Sequence, residues 1–295
     1  MRKFILGTDW WTDCDDCVAL RLLTKAHKAG KVKLLGVVIN ACMEHSVPSV
    51  DAFLTLDGVV GIPLGIDTDA TDFGKNPPYQ ARLAPHATRY KSNSDAEDGV
   101  KLYRRLLAEA DSPVEIIEIG YMQVFAALLC SPPDEISDKS GLTLVREKVT
   151  RVWAMAGKWD ADGEKENNFA RNARSIAGGR IFVDTCPVPI TFLGWEIGID
   201  VLTGGNLTHT DHLWQTLDDH GSGGGRCSWD PMLTLLALTG DCEKAGYREI
   251  RGTARLDTDG KNYFEKSDTG MQSYVIKTKE NSFYAEKINK LLTKG

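Results

Sequence analysis

Short apolar runs alternate with amphipathic segments along most of the chain. The runs are rich in β-branched residues, which is typical of buried strands, whereas the segments between them carry apolar residues at helical spacing. This repeated order of strand, turn and helix predicts a mostly parallel sheet. The predicted strands are residues 3–6, 32–39, 62–66, 114–119, 151–156 and 188–193.

Helices are predicted in most of the intervening segments, at residues 17–23, 48–56, 94–107, 121–129, 172–177, 232–238 and 283–292. The helix 94–107 is expected to open with a capping box at residues 94–97. The polar segment 67–91 predicts a long loop that acts as a lid or binding loop. Segment 247–279 alternates polar and apolar residues, as in an antiparallel hairpin. We therefore expect a single α/β domain over residues 1–295, with an open, mostly parallel sheet flanked by helices, a small C-terminal β-hairpin and a closing helix.

Composition narrows the class of protein. The chain has 295 residues, of which 42% are hydrophobic, and this is enough for one large α/β core. Its formal net charge of −6 argues against a nucleic-acid or membrane-surface partner.

The apolar run at the N-terminus is too short for a signal peptide, and no run is long enough for a membrane span. The seven scattered cysteines predict free thiols in a reducing compartment, so we expect a cytoplasmic protein. Cys14 and Cys17 form a C-x-x-C pair, but a redox or zinc site would need a second pair or a thioredoxin-like context.

Four carboxylates lie in the connection between the first predicted strand and its helix. They are Asp9, Asp13, Asp15 and Asp16. In a parallel sheet this connection lies at the carboxyl edge, where ligands bind. Aspartates also cap helices, yet four within eight positions are too many for capping alone. A bound divalent cation is the simplest compensation for their repulsion, and hard oxygen ligands favour Ca²⁺ or Mg²⁺.

Polar residues recur after several of the predicted strands, and in a parallel sheet these positions share one edge. They are Asp9 to Asp16, Asn40, Gln123, Glu166 to Asn168, and Asp230. Carboxylates and carboxamides without a Cys/His ligand set indicate a metal-bound polyol site more than a zinc site.

Four short motifs follow one another from the first predicted strand to the helix after Asp230. Residues 15–20 read Asp-Asp-Cys-Val-Ala-Leu, residues 120–126 read Gly-Tyr-Met-Gln-Val-Phe-Ala, residues 166–168 read Glu-Asn-Asn and residues 229–231 read Trp-Asp-Pro. In this order they resemble the Asp-Asp-x-x-Ala-Leu, Gly-x-x-Thr-Asn-x-Ala, Glu-Phe-Asn and His-Asp-Pro motifs of the inosine-uridine-preferring nucleoside hydrolase family. The fold implied is a Rossmann-like α/β sheet.

The resemblance also implies an activity and a set of roles. The activity is hydrolysis of the N-glycosidic bond of ribonucleosides through an oxocarbenium-like transition state, in nucleoside salvage, by a homodimer or homotetramer. Asp9 would be the general base on a calcium-bound water. The implied Ca²⁺ ligands are Asp9, Asp16, Asp230 and the backbone carbonyl of Gln123. The implied ribose contacts are Asp15, Asn40, Glu166, Asn167 and Asn168.

Departures from the family pattern lead to further hypotheses. Gly7 stands where the family usually has its first Asp, and Trp229 replaces a His that protonates the leaving base in pyrimidine-active members. A tryptophan cannot deliver that proton, but it can stack on a base, which suggests purine preference. Other candidates for the same aromatic wall are Trp10, Trp11 and Trp159, with Asp13 as a further possible site residue. His45 is a candidate acid from another loop, whereas Trp153 and Trp195 are expected in the core.

Three other functions stay open at this point. The substrate can be a different N-ribosyl compound. The protein can also be a non-catalytic, Ca²⁺-dependent nucleoside- or sugar-binding protein that has lost turnover. A Mg²⁺-dependent phosphohydrolase with an Asp nucleophile is disfavoured, because Asp9 lacks a second Asp at the required spacing.

Overall fold

The central sheet of the computed structural model, which describes residues 1–11 and 13–293, contains eleven strands. The strands of the protein are β1 (Arg2–Thr8), β2 (Val32–Ile39), β3 (Leu64–Ile66), β4 (Glu97–Asp98), β5 (Val114–Glu118), β6 (Val149–Met155), β7 (Glu164–Lys165), β8 (Ile190–Leu193), β9 (Leu202–Thr203), β10 (Arg226–Cys227), β11 (Tyr247–Leu256), β12 (Lys261–Lys266) and β13 (Gln272–Lys277). Only β9 and β10 lie outside the large sheet, where they form a small antiparallel pair.

Helices cover both faces of this sheet. They are α1 (Asp15–Lys28), α2 (Ser46–Leu56), α3 (Pro78–Leu83), α4 (Gly99–Glu109), α5 (Gln123–Cys130), α6 (Gly141–Lys148), α7 (Asn167–Ala170), α8 (Ala173–Thr185), α9 (Trp195–Gly198), α10 (His212–Asp219), α11 (Trp229–Thr239), α12 (Cys242–Ala245) and α13 (Asn281–Thr293). Short 3₁₀ turns occur at Ala84–His86 and Asn93–Asp95.

The strand order places a crevice next to β1. The order is β4-β3-β2-β1-β5-β6-β8-β13-β11-β12-β7, and every pair from β4 to β13 is parallel. The chain therefore builds outwards from β1 in one direction and from β5 in the other. Ligands of open α/β sheets bind at the carboxyl ends of the strands at such a switch point. The predicted α/β fold with a mostly parallel sheet is confirmed.

Alternation along β1 connects the sheet to two apolar layers. Phe4 and Leu6 point into the layer under α1, α2, α11 and α13, whereas Ile5 points into the layer under α4, α5 and α8. All three side chains are fully buried. Successive strand residues face opposite sides, so a continuous apolar run is what a sheet covered on both faces requires.

The C-terminal strands form the predicted antiparallel hairpin and also extend the main sheet. β11 pairs antiparallel with both β12 and β13, and β13 joins β8 in parallel. The predicted hairpin therefore has three strands. The predicted closing helix is α13, which packs against α1 and α11.

Two local predictions were wrong. The segment predicted as a long loop contains α3, which begins with Pro78, a residue favoured in the first turn because it lacks an N–H to satisfy. The capping box lies at Ser92 and Asp95 around a 3₁₀ turn, and α4 begins later, with Asp98 accepting from the Lys101 N–H. In the part of the chain that the structure describes, no helix has the length and apolar character needed to cross a membrane.

Candidate active site

The loop after β1 is folded around its first aspartate. Asp9 Oδ1 accepts a hydrogen bond from the backbone N–H of Trp11 at 2.9 Å. Trp10 has a φ of 49°, a left-handed conformation that bulky residues rarely adopt. Its ring is fully buried and meets Phe53 and Tyr79 edge-on. Core packing of Trp10 therefore holds the strained turn that fixes the Asp9 carboxylate.

Three carboxylates meet where α1 and α11 begin. Asp15 and Asp16 open α1, and Asp230 lies in the first turn of α11. The Asp230 N–H donates to Asp15 Oδ2 at 3.0 Å, and the Thr8 hydroxyl donates to Asp16. One carboxylate oxygen from each of the three residues lies within 4.8 Å of the others. We call Asp15, Asp16 and Asp230 the carboxylate cluster.

Crowding and burial change the protonation of these acids. Burial first, and then the charge of neighbouring carboxylates, raises the pKa of Asp15, Asp16 and Asp230 well above the usual range. Burial also raises the pKa of Asp9 to about 7. Buried like charges are unfavourable unless a cation or a proton compensates them.

The donor set fits a hard divalent cation. Within residues 1–11 and 13–293, no Lys or Arg forms an ion pair with the carboxylate cluster. The nearest candidate, Arg226, is paired with Asp13 through two bonds of 2.7 and 2.6 Å. Carboxylate oxygens are the ligands that Ca²⁺ and Mg²⁺ prefer. Three buried acids without a counter-charge are therefore suited to holding such an ion.

A second polar group faces the cavity from the segment after β6. Glu166 caps α7: its Oε1 accepts from the Asn168 N–H and its Oε2 from the Gly157 N–H, both at 2.9 Å. Asn168 Nδ2 donates to the Met155 carbonyl at 2.9 Å. Burial raises the pKa of Glu166 to about 7. Glu166, Asn167 and Asn168 all line the cavity, where they face the same space as the carboxylate cluster.

Asn40 and Gln123 lie beneath the cavity and not on its lining. Asn40 Oδ1 accepts from the Tyr121 N–H at 3.0 Å, and Gln123 Nε2 donates to the Asn40 carbonyl. A Cβ on Gly120 would lie 2.3 Å from the Asp9 nitrogen, so only glycine fits where these strand ends converge. Asn40 therefore positions Tyr121 through its Oδ1 atom, and its expected contact with the sugar stays a prediction. The metal contact of the Gln123 carbonyl stays a prediction.

Gly7 faces a carboxyl group from the neighbouring strand. A Cβ on Gly7 would lie 2.0 Å from the carboxylate oxygen of Glu118 on β5. Glu118 is 1% exposed and accepts a hydrogen bond from the Tyr103 hydroxyl. Burial raises its pKa to about 8. The space beside Gly7 is thus filled by a buried carboxyl group from another strand.

Aromatic rings form two further groups on the lining. Trp229 precedes Asp230, and its ring lies 6.4 Å from that of Trp195 at an angle of 25°. Trp11 packs against Phe73, which stacks on Tyr121 with ring centroids 4.0 Å apart. Trp11 and Trp229 both line the cavity, and their contact with a base stays a prediction. Trp195 was expected in the core, but it is 39% exposed and lines the cavity.

Three suggested site residues lie away from the cavity lining. Trp10 is in the core as described above, and Trp159 is buried against Phe192 and Tyr274. Both are therefore corrected from wall residues to core residues, because apolar neighbours surround their rings. His45 lies beside Glu44, 35% exposed, and no contact joins it to the carboxylate cluster.

Two arginines were missed by the sequence reasoning. The cavity has a volume of about 330 Å³, and both Arg171 and Arg226 line it. The guanidinium carbon of Arg171 lies 4.7 Å from the ring centre of Trp11, and that of Arg226 lies 5.4 Å from the ring centre of Trp229. Sequence spacing does not identify these two pairs. Trp11 and Arg171 are far apart in the chain, and Arg226 and Trp229 belong to different elements. We call these two Arg–Trp pairs and Trp195 the arginine side of the cavity.

A larger cavity of about 700 Å³ lies elsewhere, between the C-terminal parts of α1 and α11. It is lined by apolar and basic side chains and contains none of the predicted site residues. The chemistry therefore points to the smaller cavity.

No protein-family model matches the chain, and no curated protein matches its sequence. Solved structures do match its fold. An inosine-uridine-preferring nucleoside hydrolase from Bacillus anthracis is 16% identical, with 100% of each chain covered and a TM-score of 0.68. A purine-preferring ribonucleoside hydrolase from Gardnerella vaginalis is 15% identical, with 99% of each chain covered and a TM-score of 0.67. The type III effector XopQ, solved with adenosine diphosphate ribose, is 16% identical, covers 99% of this chain and 93% of its own, and has a TM-score of 0.70. The chain therefore has the fold of nucleoside hydrolases, as its motifs predict.

Proposed function

We propose that this protein is a metal-dependent N-glycosyl hydrolase that cleaves ribonucleosides into ribose and free base. One observation carries the proposal. The carboxylate cluster, Asp9 and the Glu166 to Asn168 segment line one cavity at the carboxyl edge of the sheet. Two structures with this fold are named as nucleoside hydrolases. A cation site next to a polyol-binding group is what hydrolysis of a ribosyl bond needs.

The carboxylate cluster would hold the metal, and Ca²⁺ is the ion we expect. Asp9 and the Gln123 carbonyl are the further ligands implied by the family resemblance. When bound, the cation lowers the pKa of a coordinated water and fixes its position. It also offsets the buried negative charge of Asp15, Asp16 and Asp230.

Asp9 is the proposed general base. Its carboxylate is buried, and the Trp11 N–H holds one oxygen in a fixed direction. Burial raises the pKa of Asp9 to about 7 without a metal, and a bound cation would lower this pKa, so that Asp9 would be ionised and able to accept a proton near neutral pH. Asp9 would take the proton of the water that attacks the anomeric carbon.

The sugar would lie between Asp15 and the residues that follow β6. Glu166, Asn167 and Asn168 present one carboxylate and two carboxamides to the cavity, a set suited to several hydroxyl groups. Positive charge develops on the sugar ring in an oxocarbenium-like transition state. The surrounding carboxylates stabilise that charge because they are already fixed in place.

The leaving base would lie against Trp229 and Trp195. Both rings line the cavity, and large flat rings favour a purine. Within the described residues, no His, Lys or Cys side chain lines this cavity. Arg226, held beside Trp229 by Asp13, would donate to the departing base through the N–H groups that Asp13 leaves free. We expect the enzyme to act on small-molecule nucleosides in cytoplasmic salvage, as a homodimer or homotetramer.

A panel of inosine, adenosine, guanosine, uridine, cytidine and nicotinamide riboside tests the proposal by release of reducing sugar. The panel is run with the wild type, with Asp9→Asn, and after calcium removal. Asp184→Asn, on the exposed face of α8, is the matched control. Release that is lost with Asp9→Asn and on calcium removal, but kept in the control, supports the proposal. Calcium binding without release from any compound would instead favour the non-catalytic binding protein.

A further inference from the structure

Arg171 differs from the other arginines near the cavity because its charge has no partner. Within residues 1–11 and 13–293, no carboxylate forms an ion pair with it. By contrast, Arg226 is paired with Asp13, and the neighbouring Arg174 is paired with Asp67 and Asp72. Arg171 is thus the one described cation on the cavity lining whose charge is not matched by a carboxylate.

The side chain is nevertheless held in a defined direction. Nη2 donates to the Phe73 carbonyl at 3.0 Å, and the guanidinium lies over the Trp11 ring. These contacts use one of the five N–H donors of the group and leave the others for a ligand. A neutral donor would satisfy the Phe73 carbonyl equally well, so this contact alone does not explain a guanidinium.

Its place in the chain relates Arg171 to the proposed sugar site. Arg171 follows α7 directly and keeps helical backbone angles, with φ −60° and ψ −46°. It therefore lies three helical positions after Asn168, and side chains at that spacing are neighbours on one helix face. A group attached to the sugar that Asn168 binds would lie within reach of the guanidinium.

The place of Arg171, at the edge of an acidic cavity, is what favours an anion there. A divalent cation would offset two of the three charges of the carboxylate cluster and Asp13 is already neutralised by Arg226, whereas Asp9 and Glu166 keep the inner part of the cavity acidic. Arg171 is exposed at the mouth of the cavity, away from the buried cluster, so an anion there keeps part of its hydration. Guanidinium groups bind phosphate through paired, charge-assisted hydrogen bonds.

We propose that the substrate of this site carries a phosphate on its sugar and that Arg171 binds it. The proposal rests on the proposed function, since it places the sugar beside Asn168. It specifies the substrate as a ribonucleoside phosphate in preference to a free nucleoside. Arg171 is then a specificity-determining residue, and the bond cleaved is still the N-glycosidic bond.

Two measurements test this assignment. Calorimetry on the calcium-loaded protein compares ribose 5-phosphate with ribose, and base release compares inosine 5′-monophosphate with inosine. Each uses the wild type, Arg171→Gln, Arg171→Lys and, as the matched control, Arg174→Gln. We expect the wild type to prefer the phosphorylated member of each pair by about tenfold, the typical effect of a charge-assisted contact. Arg171→Gln removes this preference, Arg171→Lys keeps part of it, and Arg174→Gln leaves it unchanged.

The two proposals fail in different ways. If neither inosine nor its monophosphate is cleaved, the hydrolase proposal fails. Calorimetry still decides whether Arg171 binds the phosphate group. Equal binding of ribose and ribose 5-phosphate by the wild type would overturn the assignment of Arg171, as would absence of binding by both. An Arg171→Gln variant that weakens phosphorylated and unphosphorylated ligands equally would also overturn it, because that pattern indicates a structural or leaving-group role.

Discussion

The carboxylate cluster and the arginine side of the cavity differ in how their charges are balanced. Asp15, Asp16 and Asp230 are at most 4% exposed and have no cationic partner among the described residues. Arg226 has a carboxylate partner, and Arg171 is exposed and packed on an indole ring. The cluster therefore needs compensation by a bound cation or by protons, whereas the side chains of the arginine side already have carboxylate, carbonyl or ring partners.

Because of this difference, we assign different roles to the two sides of the site. A buried, uncompensated acid cluster gains most from a cation, and a cation is what activates water. On the arginine side, the exposed Trp195 and Arg171 lie beside the buried rings of Trp229 and Trp11, and their flat faces and N–H donors suit the base and anionic groups of a substrate. We therefore expect changes on the carboxylate side to alter turnover and metal binding, and changes on the arginine side to alter substrate choice.

The largest effect is expected from Asp9→Asn. At saturating calcium, loss of the proposed general base should lower kcat by roughly 10²- to 10⁴-fold, because Asn keeps the hydrogen bond from the Trp11 N–H but accepts no proton. Steady-state kinetics on inosine measure this. A kcat within threefold of the wild type would assign the base role to another group, and would weaken the division between the two sides.

The sequence predicts the carboxylate side better than the arginine side for a physical reason. Asp9, Asp15 and Asp16 lie in one strand-to-helix connection, where local spacing alone places them together. Trp11 and Arg171 are brought together by the packing of distant segments, which includes the Phe73 carbonyl and the Trp11 ring. Such contacts leave no periodic signal in the chain.

The same reasoning explains the successes and failures in the fold. The strands β2 and β5 were predicted nearly to the residue because both faces are buried and the apolar run is continuous. Helix α3 was missed because it is only six residues long and stands in a segment rich in Pro and Gly. Trp195 was placed in the core because its ring follows an apolar strand, but the chain turns into α9 at that residue and exposes it.

The second prediction concerns Glu118, the buried carboxyl group beside Gly7. Its pKa is about 8 in the folded protein, against an ordinary value of 4.5, because of burial. Between these values the unfolded chain loses the proton and the folded chain keeps it. Stability therefore falls as pH rises from about 4.5 through about 8 and levels off above, by on the order of 5 kcal/mol.

Glu118→Gln should remove this part of the pH dependence, because glutamine stays neutral and its carbonyl accepts from the Tyr103 hydroxyl. Denaturant unfolding at pH 5 and pH 8.5 measures the difference in free energy. Glu286→Gln, on the exposed face of α13, is the matched control. Parallel pH profiles for Glu118→Gln and the wild type would show that Glu118 is ionised in the folded protein.

The third prediction compares how much calcium stabilises variants at Asp16 and at Asp13. At a free concentration of about 100 times its Kd, calcium should stabilise the wild type by about 2.7 kcal/mol. Asp16→Asn should lose most of this gain because it removes a charge from the carboxylate cluster. Asp13→Asn should keep it, since Asp13 is paired with Arg226 and lies outside the cluster. Thermal unfolding with and without calcium checks both variants, and equal losses in the two would mean that the loop binds the ion as a whole.

The smallest effect is expected on the arginine side, from Trp229→Ala. Stacking on an aromatic ring contributes about 1–3 kcal/mol per base, and the loss should be near the lower end because Trp195 remains. We therefore expect KM for inosine to rise about tenfold, KM for uridine to rise less because its ring is smaller, and kcat to change little. Trp214→Ala, on α10 and outside the cavity lining, is the control for loss of an indole. If Trp229→Ala lowered kcat for both substrates and left KM unchanged, the indole would act on the leaving group in the transition state, and the arginine side would share the catalytic work now assigned to the carboxylates.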